Sequence, residues 1–593
     1  MRRKFVRIVA AFLAIYMMSF PCVYAEGTDD FVPEPIYDMW GNLIGYTTPP
    51  SVEPDEPDTP PYVPGSGTQS ETDTGTIIKI GLFFNDKALP AGNLLNSEGS
   101  GYRFGFYSGN VFYKLGYTTQ TGISVLKAQN LYYSQKTSDN LPGYVEEKAS
   151  DIAVGCYHLK LSGNFSSFEQ AKNTADSVGG FPAWIKGEYQ VRIGAYLSQE
   201  AANYAASTLG IPSVSVVGTS SSAMTVVITG TSTPVFQYDG GNDNPMFTVK
   251  PGLDDSIKTV THFKGYKYYG SFRYERIDGG NLTVVNLVDI EDYVRGVLPY
   301  EMSPSWPLEA LKAQAVSARS YTMANLNRHS KYHFDLCNKE DCQVYYGTGS
   351  ATEHTDRAAM ETAGMYAWYD GKVILAVFHS NHGGATEDCE NVWNQALPYL
   401  RGVIDPYEAM ADTKPSYKWT KSYTGTQLKE LLHSKGYVGC SDIIKVEVTK
   451  KTNTGNPYSI TFYDTNGKTW TVSHCENLRK MLGLKTIRYT VSGGGNGFNL
   501  TEDQILPSLY GSWVLDENGQ LVQMTATPAY AATAAGIQKV ADSDPAAGTF
   551  VFEGAGSGHN LGMSQWGAYA MAKQGFTFDQ ILKFYYTGIE IHK

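Results

Sequence analysis

VRGVLPYEMSPSWPLEALKAQAVSARSYTMANL, running from Val294 to Leu326, sets a single glutamate, Glu301, between Tyr300 and Met302 on a stretch broken by proline and serine. A long helical pattern follows at once. Ser305 reads as its cap, Pro307 suits the first turn and Glu309 favours the positive helix start. Leu308, Leu311, Ala315, Ala318 and Thr322 recur at three- and four-residue steps, a narrow face of small residues made for close packing. An acid beside Tyr300, Met302 and Trp306 loses hydration when charged, which raises its pKa toward neutrality. A glycosidic oxygen needs such a group as its general acid. The plainer alternative is a capping or ion-pairing role near the helix. Most glycosidases pair the acid with a second carboxylate. Asp289, Glu291, Asp292 and Glu309 are the nearby choices, and the helix dipole already explains the last.

Upstream of this stretch, residues 224–298 read as β structure, through TVVITG, STPVFQY, HFKGYKYYGSFRYERI and NLTVVNLV. Downstream, a helix is expected over about 352–363, then a hairpin marked by Asp370-Gly371 between alternating runs. His379-Ser380-Asn381-His382-Gly383-Gly384 follows a strand directly and presents polar side chains and free amides at its end. Gly556-Ser557-Gly558-His559, with Gly562-Met563-Ser564-Gln565, opens a helix. Neither run matches the serine-hydrolase elbow G-x-S-x-G. Gly-rich turns with one histidine are most often structural. His333-x3-Cys337-x4-Cys342 admits three outcomes: a zinc site, a Cys337–Cys342 disulfide, or two free thiols.

The chain has 593 residues, enough for several domains. Residues 1–25 read as an export signal, with Arg2, Arg3, Lys4 and Arg7 ahead of an apolar run of about 13 residues, too short to span a membrane comfortably. Cleavage is expected near Ala25. Cys22 lacks the preceding small residues that a lipoprotein signal wants. Residues 26–76 form a Pro- and acid-rich linker, densest over 47–76. A β-rich segment follows at 77–150, opening on the strand IIKIGLFF. Seven cysteines in so long a chain make no disulfide scaffold. A net charge of −12 argues against nucleic acid and is compatible with a neutral polysaccharide. The 42 tyrosines suit stacking on sugar rings, and equally suit an ordinary extracellular β protein.

A short repeat occupies 152–217. YHLKLSGNFSSFEQAKNTADSVGG from Tyr157 and YQVRIGAYLSQEAANYAASTLG from Tyr189 each give an alternating strand, a glycine, an aromatic and an Ala-rich helix. Leu159, Leu161, Val191 and Ile193 face the helices. His158, Lys160, Gln190 and Arg192 then lie on the opposite sheet face. This region resembles the SPOR domain, which binds peptidoglycan glycan strands stripped of stem peptides, although Lys160 stands where that family often has glutamine. The resemblance implies an open, glycan-binding sheet face.

Over 224–593, DIEDYVRGVLPYEMSPSWPLEALKAQAVSARSY, DLCNKEDCQVYYG, FHSNHGGATEDCENVW and GSGHNLGMSQWGAYAMAKQG appear in this order and closely resemble the SpoIID/LytB family. The expected architecture is therefore multidomain α+β, a small SPOR-like sheet domain plus a larger β-rich domain with a few packed helices. The resemblance implies a secreted, wall-associated lytic transglycosylase with Glu301 as its catalytic acid, needing no second carboxylate. It also implies Arg319, Gln343, His379, Ser380, His559 and Gln565 around the groove. No cofactor is required for that chemistry, though family resemblance suggests a structural zinc at His333, Cys337 and Cys342. Peptidoglycan glycan strands are the expected partner, with an amidase or other wall hydrolase beside them. The rival reading is a non-catalytic, glycan-binding enhancer of an N-acetylmuramoyl-L-alanine amidase.

Overall fold

The computed structural model describes residues 69–241, 246–411, 418–493 and 549–593, with short strands between 35 and 46 and between 498 and 541 described as backbone. The leader at 1–25 and most of the linker at 26–76 lie outside the described residues. Among the described residues no helix is long and apolar enough to cross a membrane.

Alternating apolar residues build two large sheets. One has eight strands in the order Leu336–Cys337, Ile77–Phe83, Leu282–Asp289, Ser271–Arg276, Phe247–Pro251, Tyr102–Ser108, Val111–Thr118 and Gln69–Thr72. The other has ten: Val214–Val217, Tyr157–Leu161, Glu188–Tyr196, Phe181–Ile185, Pro234–Asp239, Met224–Ile228, Gly122–Lys127, Ala91–Asn96, Thr261–Phe263 and Tyr266–Tyr268. Ile78, Ile80, Phe104, Val125, Trp184 and Phe236 bury themselves in one continuous core that both sheets share. The ten-stranded sheet takes strands from 77–150, from 152–217 and from 224 onward. The molecule is mixed α+β and strand-rich.

The two strand–helix units of the repeat are present, with helices α1 (Phe168–Val178) and α2 (Gln199–Thr208), each capped by a serine side chain. Leu159 and Ile193 pack against α2, and Val191 against α1, as expected. The open polar face is not there. His158, Gln190 and Arg192 are buried, and Lys160 is half-buried. Phe181–Ile185 pairs in parallel with Pro234–Asp239, so the repeat continues into a larger sheet that brings Gln237 within hydrogen-bond reach of His158. His158 donates through Nδ1 to Gly194 O at 2.6 Å, meets Gln237 at 3.0 Å and lies edge-on to Phe181. Arg192 donates to Gln190 at 2.8 Å.

A helical layer carries the conspicuous motifs. Helix α3 (Ile290–Glu301) starts directly after the strand Leu282–Asp289, with the Asp289 side chain accepting from Glu291 N–H. Ile290, Tyr293, Val294, Val297 and Leu298 recur at helical spacing and are all buried. Gly296 and Pro299 disguise that pattern in the sequence. The glycine is required, because a Cβ there would sit 2.5 Å from the Tyr345 ring. Glu301 is thus the last residue of a helix and not part of a loop. Helix α4 (Leu308–Ala324) begins after Pro307, and Ser305 bonds Ser303 instead of capping it. Far from showing one buried face, α4 is enclosed on all sides, from Ala310 to Thr322 with only Lys312 less covered.

Helix α5 (Glu353–Glu361) opens on a Thr352/Thr355 capping box. The expected Asp370-Gly371 hairpin follows, both residues at positive φ, joining Tyr366–Tyr369 to Lys372–Val373. Residues 418–493 and 549–555 form a unit of their own, with helices α6 (Gly425–Ser434) and α7 (Cys475–Met481) on small sheets and a separate core around Phe462, Leu478 and Phe552. The buried Glu387 carboxylate clasps that unit, accepting from Thr452 Oγ1 at 2.7 Å and Asn456 Nδ2 at 2.7 Å. Helices α8 (Gln565–Lys573) and α9 (Phe578–Tyr585) then return to α4, and Glu590–His592 closes the chain against Tyr366–Tyr369.

Candidate active site

Three distant segments converge on Glu301. Helix α3 brings the acid itself to its C-terminal end. The segment after Cys342 supplies the Val344 N–H, which donates to Oε1 at 2.8 Å. The first residue of α8, Gln565, points Nε2 at Oε2 from 3.4 Å. Burial raises the Glu301 pKa, the Val344 and Gln565 donors oppose it, and the charge of Glu340 adds to the rise. Two donors to one carboxylate fix its orientation without ion-pairing it. The four nearby acids are engaged elsewhere. Asp289 caps α3, Glu291 pairs with Arg319, Asp292 meets Lys258 and Arg295, and Glu309 bonds Lys312 and the Phe578 N–H. A lone, partly desolvated acid suits proton donation to a leaving oxygen.

The six residues expected around the groove divide sharply. Gln565 is at the acid. Arg319 is fully buried and clamps Glu291 bidentately, Nε to Oε1 at 3.0 Å and Nη2 to Oε2 at 2.6 Å, with Nη1 on Met365 O. It ties α4 to α3 and does not face a groove. Gln343 is likewise buried, donating to Thr322 Oγ1 at 3.0 Å and to Ala318 O and Tyr293 Oη at 3.3 Å. It pins the segment that carries Val344. His379 is buried and donates to Leu561 O at 3.0 Å, and burial with two histidine neighbours pushes its pKa well down. His559 spends both ring nitrogens, Nε2 on Phe378 O and Nδ1 on Leu561 N–H, and burial takes its pKa to about 4. Ser380, half-buried, accepts through its carbonyl from Trp566 N–H at 3.1 Å.

Behind these turns lies a dry clasp that no sequence pattern suggested. His382 accepts from Gly384 N–H through Nδ1, so Nε2 donates to Asp405 at 2.9 Å. Asp405 also accepts from Tyr585 Oη at 2.5 Å. Glu408 accepts the N–H groups of His382 and Gly383 and the Ser564 hydroxyl, at 2.7–2.8 Å. Because Ser564 caps α8, this cluster fixes where Gln565 begins. Gln314 was also missed. Fully buried on α4, it places Oε1 3.5 Å from Gln565 Nε2, and its own Nε2 has no partner. Its one signal was an amide among alanines in LKAQAV.

The cysteine block differs from the expected set. His333 is exposed and its ring meets Glu275 at 2.9 Å, far from forming a ligand trio. His329 takes its place, 3.3 Å from Cys342 Sγ and 3.5 Å from Asp341 Oδ2. With Cys337 these four donor atoms lie within 4.8 Å of one another, and both thiols are free. The neighbouring Cys342 thiol draws the Cys337 pKa down, against burial and with help from His329, while Cys342 itself is pushed up. Two sulfurs, an imidazole and a carboxylate match the ligand types and number of a closed tetrahedral zinc site.

A shallow cleft of about 620 Å³ against Trp368, Tyr369, Asp370, Glu590 and His592 contains none of these residues. The stage II sporulation protein (SpoIID) family model matches residues 278–369, which carry α3, Glu301, α4, the cysteine block and the Asp370 hairpin's first strand. An uncharacterised protein of Brachyspira hyodysenteriae is 33% identical over 349 residues, covering 59% of this chain and 78% of that one. The stage II sporulation protein D of Bacillus subtilis is 28% identical over 327 residues, 52% of this chain and 76% of its own. The amidase enhancer of the same organism is 28% identical over 307 residues, and the match spans 50% of this chain and only 39% of the enhancer. With those similarities and three of the four motifs meeting at Glu301, the chain belongs to the SpoIID/LytB family.

Proposed function

We propose that the protein is an exported lytic transglycosylase that remodels peptidoglycan by cutting glycan strands free of stem peptides. The observation that carries this reading is Glu301 held by two donors with no ion pair, its pKa raised by burial and by the charge of Glu340, while Asp289, Glu291, Asp292 and Glu309 are engaged elsewhere. Protonated Glu301 gives its proton to the glycosidic oxygen as the C1–O bond breaks. The sugar left behind becomes oxocarbenium-like. Its own C6 hydroxyl then closes onto C1 and returns a proton to the Glu301 carboxylate. One bond breaks, one forms, no water is consumed, and the product carries a 1,6-anhydro-muramic end. Val344 N–H and Gln565 hold the carboxyl in place throughout.

A zinc ion would be held by His329, Cys337, Asp341 and Cys342, and with four protein ligands it would be structural, bracing the segment that leads to Val344. The test of the reaction class is digestion of purified stripped glycan in ¹⁸O-water. Anhydro ends without label support transglycosylation, and labelled reducing ends mean hydrolysis. The amidase-enhancing alternative draws on the relative of that name. It requires glycan binding without any new chain ends.

A further inference from the structure

Aromatic clusters adjoin both residues that donate to the Glu301 carboxylate, and their rings stay partly exposed. One follows the acid. Trp306 meets Trp566 with ring centroids 4.7 Å apart and Tyr569 at 5.1 Å, and all three rings are half-buried. Trp566 adjoins Gln565, and Trp306 lies five positions past Glu301, so both donor and acid fix this cluster beside the carboxyl. On α8 the residues Gly567, Ala568, Ala570 and Met571 take the buried face, leaving Trp566 and Tyr569 on the outer one. The second cluster precedes the acid. Tyr300 lies edge-on to Tyr346, whose carbonyl accepts from Tyr300 Oη at 3.4 Å. Tyr346 is two positions beyond Val344. Tyr266 stacks on it at 5.0 Å, and Lys339 donates to its hydroxyl at 3.1 Å. Tyr266, 39% exposed, is the most open ring of this cluster.

We infer that these clusters are the two walls of a saccharide cleft, seating sugar rings of one β-linked aminosugar strand on either side of the bond that Glu301 protonates. Pyranose rings pair apolar C–H faces with polar edges, and aromatic faces satisfy the former while leaving the edges hydrated. A chain of net charge −12 gains little from binding a wall polymer through charge, which makes stacking the better route. The inference rests on Glu301 facing a glycan, but binding and turnover fail separately.

The test measures titration calorimetry of stripped glycan strands into the full-length Glu301→Gln protein, which binds without consuming the ligand. Trp566→Ala and Tyr266→Ala in that background should each weaken binding about threefold to tenfold, and together by the product. Trp368→Ala, an aromatic of the remote cleft, should leave affinity unchanged. Folded Trp566→Ala and Tyr266→Ala proteins that bind as well as their parent overturn the walls, as does an equal loss with Trp368→Ala. Tyr266 sits on an exposed hairpin, so its substitution decides the matter alone if Trp566→Ala does not fold. Wall-dependent binding in a protein that never forms anhydro ends leaves the cleft standing and removes the transglycosylase reading.

Discussion

Gln565 reaches Glu301 from 264 positions further along the chain, its Nε2 3.4 Å from Oε2, and that bond opposes the pKa rise caused by burial. Removing it lets the acid's pKa climb further. In Gln565→Leu the alkaline limb of kcat/KM, where the acid loses its proton, should move to higher pH. The rate should fall roughly tenfold to a hundredfold from lost orientation. A pH profile checks both, and an unmoved limb separates Gln565 from the acid.

Gln314 acts one step behind. Its Nε2 is already unpaired in the interior, so Gln314→Leu removes a buried donor that gains nothing, and stability should change by less than about 1 kcal/mol. Activity should nevertheless drop about tenfold, since Gln565 loses its second acceptor. Denaturant melts beside steady-state rates make the comparison.

Arg319 is expected to matter for folding and not for substrate. Arg319→Met leaves the partly exposed Glu291 carboxylate without its partner and Met365 O without its donor, and should cost about 1.5–3 kcal/mol. KM of the folded fraction should stay within about twofold of the parent's. A rise in KM without loss of stability contradicts the assignment.

The Asp370-Gly371 hairpin and the strand–helix repeat were legible because each rests on local periodicity or turn chemistry. Helix α3 was not, because Gly296 and Pro299 look like breakers until Tyr345 shows why the glycine is there. Arg319, Gln343 and His559 were drawn into the groove for being polar members of motifs. Glu291, Thr322 and Phe378, their respective partners, lie 28, 21 and 181 positions away, distances that no spacing rule reports. Spacing grouped His333 with Cys337 and Cys342, whereas the turn at Ser330–Tyr332 folds the earlier His329 back to the thiols. The polar sheet face failed for a similar reason, since His158 finds its partner Gln237 79 positions away on a strand outside the repeat.

His158 carries a stability signature. Its folded pKa, about 4, lies below the unfolded value near 6.5, because burial disfavours its charged form. The neutral ring's contribution is complete above about pH 6.5 and is lost as pH falls toward 4, on the order of 3 kcal/mol in all. In His158→Gln, melting temperature should fall less steeply across that window. Parallel curves for the two proteins refute the assignment.

Zinc loading separates His329 from His333. After refolding with excess zinc and dialysis, the parent and His333→Ala should hold about one equivalent by metal analysis, and His329→Ala and Cys337→Ser far less. Chelation should lower the melting temperature of the first pair only. Equal zinc loss in His333→Ala would falsify the four-ligand set.

The central claim is that Glu301 alone supplies the proton. The most direct measurement compares the mature protein with Glu301→Gln on purified glycan strands, with and without stem peptides, by mass spectrometry of the chain ends. The account predicts 1,6-anhydro-muramic ends from the parent, most abundantly on stripped strands, and a loss of at least about a hundredfold in the variant. Anhydro ends at parental yield from Glu301→Gln, or none from either protein while both still bind glycan, contradict it.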